Sequence, residues 1–352
     1  MIFSTLKVLQ IPEGIVKQIT DAAGKVLWKG IKELSYHGGS TLTVARNQLV
    51  GANIGNYALF GGGYAPSAQR TEVESFDKSL TMNLQTGLSY ARANLAATKV
   101  GNYAVFGGGG NKRVEAYNTS LTHSLGGELS SNRTYLAATY TANHALFGGG
   151  YDGSSYYNTV DACDTSLTIT KATNLSSYKG YLAATTIGGY ALFGGGGSST
   201  TRFNTVDAYD ASLTKTTPTT LSSAREYLAA TSVDKYALFA GGRTGTTASV
   251  TTVDAYNASL TRTTPTELSY ARNRLVATSV GDCALFGGGT SNVNVGESVV
   301  DAYDSSLTRT VPNPLSVARN GLAATSVGVY ALFGGGSGAD GVRYEVDIYK
   351  YD

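Results

Sequence analysis

The chain has 352 residues, of which only 15% are charged, for a formal net charge of +2. That balance supplies no long-range field to gather nucleic acid or an anionic membrane, so neither partner is expected. Two cysteines without CxxC spacing argue against a disulfide framework or a thiolate metal site.

Glycine at 44 residues and tyrosine at 24, with abundant Ser and Thr, point to many short strands joined by tight turns. Residues 1–32 stand apart from the rest of the chain. Ile15 to Thr20 alternates like a strand, Asp21-Ala22-Ala23-Gly24 signals a turn, and Lys25 to Lys29 resumes the alternation around Trp28. A lone hairpin is marginal in water, so this one is expected to pack on a ring, another copy or a larger assembly. The start lacks both a basic leader and an apolar stretch of signal-peptide length, so neither a secretory signal nor a membrane span is expected.

From residue 33 onward the chain repeats. Ala-Leu-Phe or Ala-Val-Phe recurs with its phenylalanine at Phe60, Phe106, Phe147, Phe193, Phe239, Phe286 and Phe333, at spacings of 46, 41, 46, 46, 47 and 47 residues. Each period reads as four short segments. The first opens on a base and runs apolar, as in Arg272 to Val280; the second is the phenylalanine motif. The third reads like Val253-Asp254-Ala255-Tyr256, and the fourth follows a turn at Ala258-Ser259 to cover Leu260–Leu268. Four strands per period of 40 to 50 residues is one blade of a β-propeller, and seven periods predict a seven-bladed, all-β ring over residues 33–352.

The last period stops at Asp352 with three strands. Residues 33–47 align without a gap on 306–320, ending on Leu42 to Asn47 against Leu315 to Asn320, and residues 318–352 with 34–44 make up one period of 46. An N-terminal strand is therefore expected to complete the seventh blade, which removes the free edges of an open arc.

Base, apolar strand, Phe-Gly-Gly, Val-acid-x-Tyr and a fourth strand together resemble the kelch repeat across nearly all of residues 33–352. Where the kelch fourth strand carries a tryptophan, this chain has Leu80, Leu121, Leu167, Leu213, Leu260 and Leu307. The resemblance implies a kelch-type propeller in which the base near the channel mouth can contact ligands. Residues 15–29 resemble short segments at the start of phage and prophage tail-type proteins of Gram-positive bacteria. That likeness implies a virion or extracellular setting, with the cytoplasm as the alternative, and partners in a larger assembly reached through residues 1–32.

The bases form a regular set: Arg46, Arg92, Arg133, Lys179, Arg225, Arg272 and Arg319. Acids are equally regular at Glu74, Glu115, Asp161, Asp207, Asp254, Asp301 and Asp347. Matched numbers favour pairing, within or between blades, over anion binding at the channel mouth. The glycines suit close backbone approach rather than a phosphate loop, since neither the strand-to-helix context nor a following Lys-Ser/Thr is present. His37, His123 and His144 occupy unrelated repeat positions, and Cys163 and Cys283 replace repeat tyrosines. No catalytic set, metal site or cofactor is expected.

Divergence is the remaining signal. Two residues after each base stand Gln48, Asn94, Tyr135, Tyr181, Tyr227, Arg274 and Gly321, on the same strand face as the bases. The loops after the glycines diverge as well and should emerge at the same end of the disc, bringing Tyr151, Tyr156, Tyr157, Arg202, Phe203 and Arg243 there. Variable loops on a rigid scaffold are where binding concentrates, and tyrosine suits sugar or protein surfaces. The expected function is non-enzymatic recognition of a cell-surface glycan or protein through Tyr135, Tyr181, Tyr227, Arg274 and these loop residues. The alternatives are an enzyme acting on polysaccharide and a structural spacer within an assembly.

Overall fold

The second segment of each period is apolar without a break, and the structure explains why. Strands such as Tyr190–Gly194 and Tyr330–Gly334 are buried from their second residue onward, because a neighbouring sheet covers each face. First strands such as Ala183–Ile187 instead alternate between buried and half-buried residues, one face turned to a neighbour and the other to the axis. The computed structural model describes strands Gln18–Thr20 and Val26–Lys29 together with residues 33–292 and 296–352.

Seven four-stranded antiparallel sheets form the blades. Blade 1 comprises Val50–Ile54, Tyr57–Gly61, Val73–Asp77 and Met82–Leu84, and the next five blades follow in chain order. Each first strand lies against the first strands of both neighbours, with Ala323–Val327 of blade 7 returning to Val50–Ile54 of blade 1. The protein is a closed seven-bladed β-propeller.

Close packing at six of the seven blade junctions uses one device. The phenylalanine of one blade lies over a glycine in the second strand of the blade before it, and blade 5 carries Ala240 at that position. A Cβ on Gly61 would sit 2.8 Å from the Phe106 ring, and one on Gly334 would sit 2.9 Å from Phe60, which joins the last blade to the first. At these junctions glycine lets the ring approach the backbone without displacing it. Tyrosines of the third strands then tie the outer parts together: the Tyr117 hydroxyl donates to the Thr86 carbonyl at 2.7 Å and Tyr256 to that of Thr219 at 2.8 Å, each reaching the preceding blade.

In the seventh sheet, Leu34–Thr41 pairs with Glu345–Tyr351, with Leu34 opposite Tyr351 and Thr41 opposite Glu345. The Tyr36 hydroxyl donates to Asp347 at 2.8 Å, fixing the incoming strand to the buried acid of that blade. Outside the blades, Gln18–Thr20 and Val26–Lys29 pair with each other as a two-stranded sheet.

The repeat leucines differ from the expected placement. Leu80 and its counterparts lie not within the fourth strand but in the turn before it, at φ of +59° to +63°. In that turn Asp77 Oδ1 accepts from the amides of Ser79 and Thr81, and the equivalent Asp or Asn repeats this in each of blades 2 to 6. This side-chain clamp forces a left-handed residue, and the half-buried leucine still reaches the apolar cluster. The fourth strands of blades 4 to 6 are only two residues long, as in Arg262–Thr263, which limits the exposed edge there.

Candidate functional site

The seven bases and seven acids meet within blades. Arg92–Glu115, Arg225–Asp254, Arg272–Asp301 and Arg319–Asp347 pair at 2.7 Å, Lys179–Asp207 at 3.8 Å, and Arg46–Glu74 and Arg133–Asp161 likewise. Every one of these basic side chains is fully buried. The kelch-like expectation that they stand at the channel mouth is therefore corrected. Each base precedes the axial strand, but its side chain runs outward to the third strand, and most also bond the carbonyl of the blade's phenylalanine, as Arg225 does to Phe239 at 3.1 Å.

Each carboxylate has a second duty. It accepts from a Ser or Thr three residues before the base: Ser89, Ser130, Ser222 and Ser316 bind Glu115, Asp161, Asp254 and Asp347 through their backbone amides at 2.8 to 3.2 Å. This Ser/Thr-x-x-Arg/Lys spacing pins the crossing from one blade into the next. Lys179 is the exception in chemistry, since burial lowers its ammonium pKa to about 8 despite Asp207.

Two residues further on the geometry changes. Gln48, Asn94, Tyr135, Tyr181, Tyr227 and Arg274 all adopt φ between +54° and +57°, and Gly321 takes +62°. The amide of each of the first six donates to the carbonyl of its counterpart in the preceding blade at 2.7 to 3.0 Å, starting from Gln48 on Gly321. A hoop of backbone bonds thus circles the axis, and its side chains surround one end of the channel. Holding six non-glycine residues in the left-handed region costs on the order of 1–2 kcal/mol each, which the hoop bonds offset in part.

Within the hoop, Tyr135 and Tyr181 have ring centroids 4.5 Å apart, and Tyr181 and Tyr227 stack at 4.4 Å with 26° between planes. The guanidinium of Arg274 lies 4.9 Å from the Tyr227 centroid and that of Arg243 lies 4.7 Å from it. On the opposite side of the hoop the Asn94 amide donates to Gln48 at 3.0 Å. Burial raises the phenol pKa of Tyr181 and Tyr135, and the neighbouring Tyr227 phenol adds to both shifts, so these hydroxyls stay protonated. They border a cavity of about 280 Å³ with a floor of leucines, among them Leu95, Leu182 and Leu275. Below it the channel is lined by alanines and then by threonine and serine hydroxyls at the far end.

The variable loops reach this same end. Isolated antiparallel bridges join Asn47 to Tyr64, Thr134 to Tyr151, Glu226 to Arg243 and Asn273 to Thr290, each one residue before a hoop position. Tyr151 packs on Tyr156 at 4.7 Å, and Tyr156 meets Tyr181 at 6.4 Å, which extends the aromatic cluster outward. Other expected residues go elsewhere. The Tyr157 hydroxyl donates to Asp152 at 2.7 Å within its own loop, and Phe203 lines a separate open depression with Tyr156 and Tyr178. Arg202 and Arg243 share the one carboxylate of Glu226, at 3.0 and 2.8 Å. Sequence reasoning missed Glu226. Its signal is a carboxylate between base and hoop residue, where other repeats carry Asn, Ala, Thr or Gly.

Both cysteines are free, and burial raises their thiol pKa values to about 12 for Cys163 and about 11 for Cys283. Among the described residues no group of three or more His, Cys, Asp and Glu is arranged to hold a metal ion, and no helix is long and apolar enough to cross a membrane.

No protein-family model matches the chain, and no curated protein matches it. The solved structure of YjhT is similar in fold, with a TM-score of 0.62 at 14% identity, covering 78% of this chain and 99% of that one. At that identity the likeness carries the propeller fold alone.

Proposed function

We propose that this kelch-like propeller is a non-enzymatic recognition module that holds a saccharide of a cell surface at the hoop end of its channel. The observation that carries the reading is the stack of Tyr135, Tyr181 and Tyr227 held in left-handed backbone around a cavity of about 280 Å³. Strain of this kind concentrates at functional positions, and blade 7 meets the same backbone demand with Gly321 alone. The cavity lies near the lower end of small-ligand sites, roughly 300–1,000 Å³, which favours a sugar unit over a protein surface. Phenol hydroxyls beside apolar rings match the alternating polar and apolar edges of a pyranose.

Hydrolysis by a carboxylate pair finds no support at this mouth, because no Asp or Glu among the described residues lines the cavity. Residues 1–32, whose strands pair outside the seven blades, serve in this reading to join the ring to a larger particle such as a phage tail or virion. The test is retention of labelled protein on immobilised cell-wall and capsular polysaccharides. Retention by the wild type with loss in Tyr181→Ala supports the proposal, and equal retention of both proteins overturns it.

A further inference from the structure

We infer that the ligand of the hoop cavity carries an anionic group, a carboxylate or a phosphate ester, which seats on Arg274. The inference rests on the recognition reading above and goes beyond it by naming a charge. Every other arginine in the described structure ion-pairs with a carboxylate: the buried set with the third-strand acids, Arg202 and Arg243 with Glu226, and Arg262 and Arg309 with the outer oxygens of Asp254 and Asp301. The remaining pairs are Arg70 with Glu72, Arg113 with Glu128 and Arg343 with Asp340. Arg274 has no such partner among the described residues. It is exposed, and its one neighbour of note is the Tyr227 ring at 4.9 Å.

The surroundings fit one kind of guest. The cavity lining holds one cation and no carboxylate among the described residues, so its only formal charge is positive. Protonated phenols at Tyr135 and Tyr181 add neutral donors to the guanidinium's fork, a set suited to a planar or tetrahedral oxyanion. Glu226 sits beside the hoop but is buried and bound to two arginines, which screens its charge from the cavity. Seven regular bases drew attention to anion binding, yet all are consumed in structure. The irregular one is left open.

The full chain can be titrated, with tyrosine ring resonances as the readout, against galacturonate, glucose 6-phosphate and neutral galactose. Arg274→Gln is the matched variant, since Gln48 occupies the same hoop position at φ +54° and the backbone already accepts it. The expected result is binding of one or both charged sugars in preference to galactose, weakened about 10- to 100-fold in Arg274→Gln and weakened by salt. Which charged sugar binds separates carboxylate from phosphate. Equal binding of galactose, indifferent to Arg274→Gln, overturns the anionic inference and leaves saccharide recognition standing. Unmoved ring resonances with all three sugars overturn both.

Discussion

Two rings of residues, separated by only two positions in each repeat, behave in opposite ways. The inner one, inner in the sense of burial within the blades, runs from Arg46 to Arg319 and is basic throughout, fully buried and paired to acids within each blade. The outer one, from Gln48 to Gly321, shares a backbone geometry to within a few degrees while its side chains range from glycine to arginine. Uniform chemistry answers a demand that every blade makes, namely fixing the crossing into the first strand. Uniform backbone with divergent side chains answers a demand of the whole ring, a hoop about the axis, and leaves the chemistry free for a ligand.

The strongest way to break this contrast is to damage the inner ring. Arg225→Met should leave buried Asp254 with only the longer contact to Arg262 at 3.6 Å and cost about 3 kcal/mol, seen as a large drop in the thermal midpoint. Tyr227→Asn, two residues on, should leave the midpoint near that of the wild type, since Asn94 already fills that position at φ +54°. If the two variants melt alike, the division between rings fails.

A subtler test uses the one lysine of the inner ring. Burial holds Lys179 at about 8, below its ordinary 10.5, so between those values the folded chain binds fewer protons than the unfolded one. Stability therefore rises with pH through that window. Relative to Lys179→Arg, the wild type should gain about 1–2 kcal/mol between pH 8 and about 9.5 in urea unfolding. A flat difference would mean that the ammonium is not desolvated as its position requires. The smallest effect is expected outside the blades: removal of residues 1–32 should leave the thermal midpoint of the ring nearly unchanged while abolishing its joining to a larger assembly. A large fall would show that the hairpin belongs to the core.

Much of this was legible in the sequence, for a physical reason. Phe60 and its six counterparts recur because each packs on the second strand of the blade before it, over a glycine at six of the seven junctions, so the blade count could be read directly. The base and acid sets were legible as pairs for the same reason. Direction was not legible: nothing in the spacing says that Arg92 reaches outward to the third strand rather than toward the channel, since that depends on where the second strand's carbonyls lie. The leucine turn escaped periodicity because Asp77 and its counterparts fix a left-handed residue by side-chain bonds that periodicity does not register. At the mouth, the divergence of the tyrosine trio was legible but its placement was not: the expected strand face shared with the bases is absent, because left-handed backbone at Tyr135, Tyr181 and Tyr227 turns these side chains to the channel while the bases run outward. Glu226 was not legible, because its importance comes from two loops that converge on it from different blades.

The central claim is that the hoop residues bind and the inner ring folds. It is tested most directly by replacing Tyr135, Tyr181 and Tyr227 together with Asn and measuring saccharide binding and thermal midpoint on the same sample. The account predicts a midpoint within a few degrees of the wild type and a loss of binding of about 150-fold, the combined effect of three aromatic contacts at ~1 kcal/mol each. Undiminished binding by a folded triple variant would contradict it.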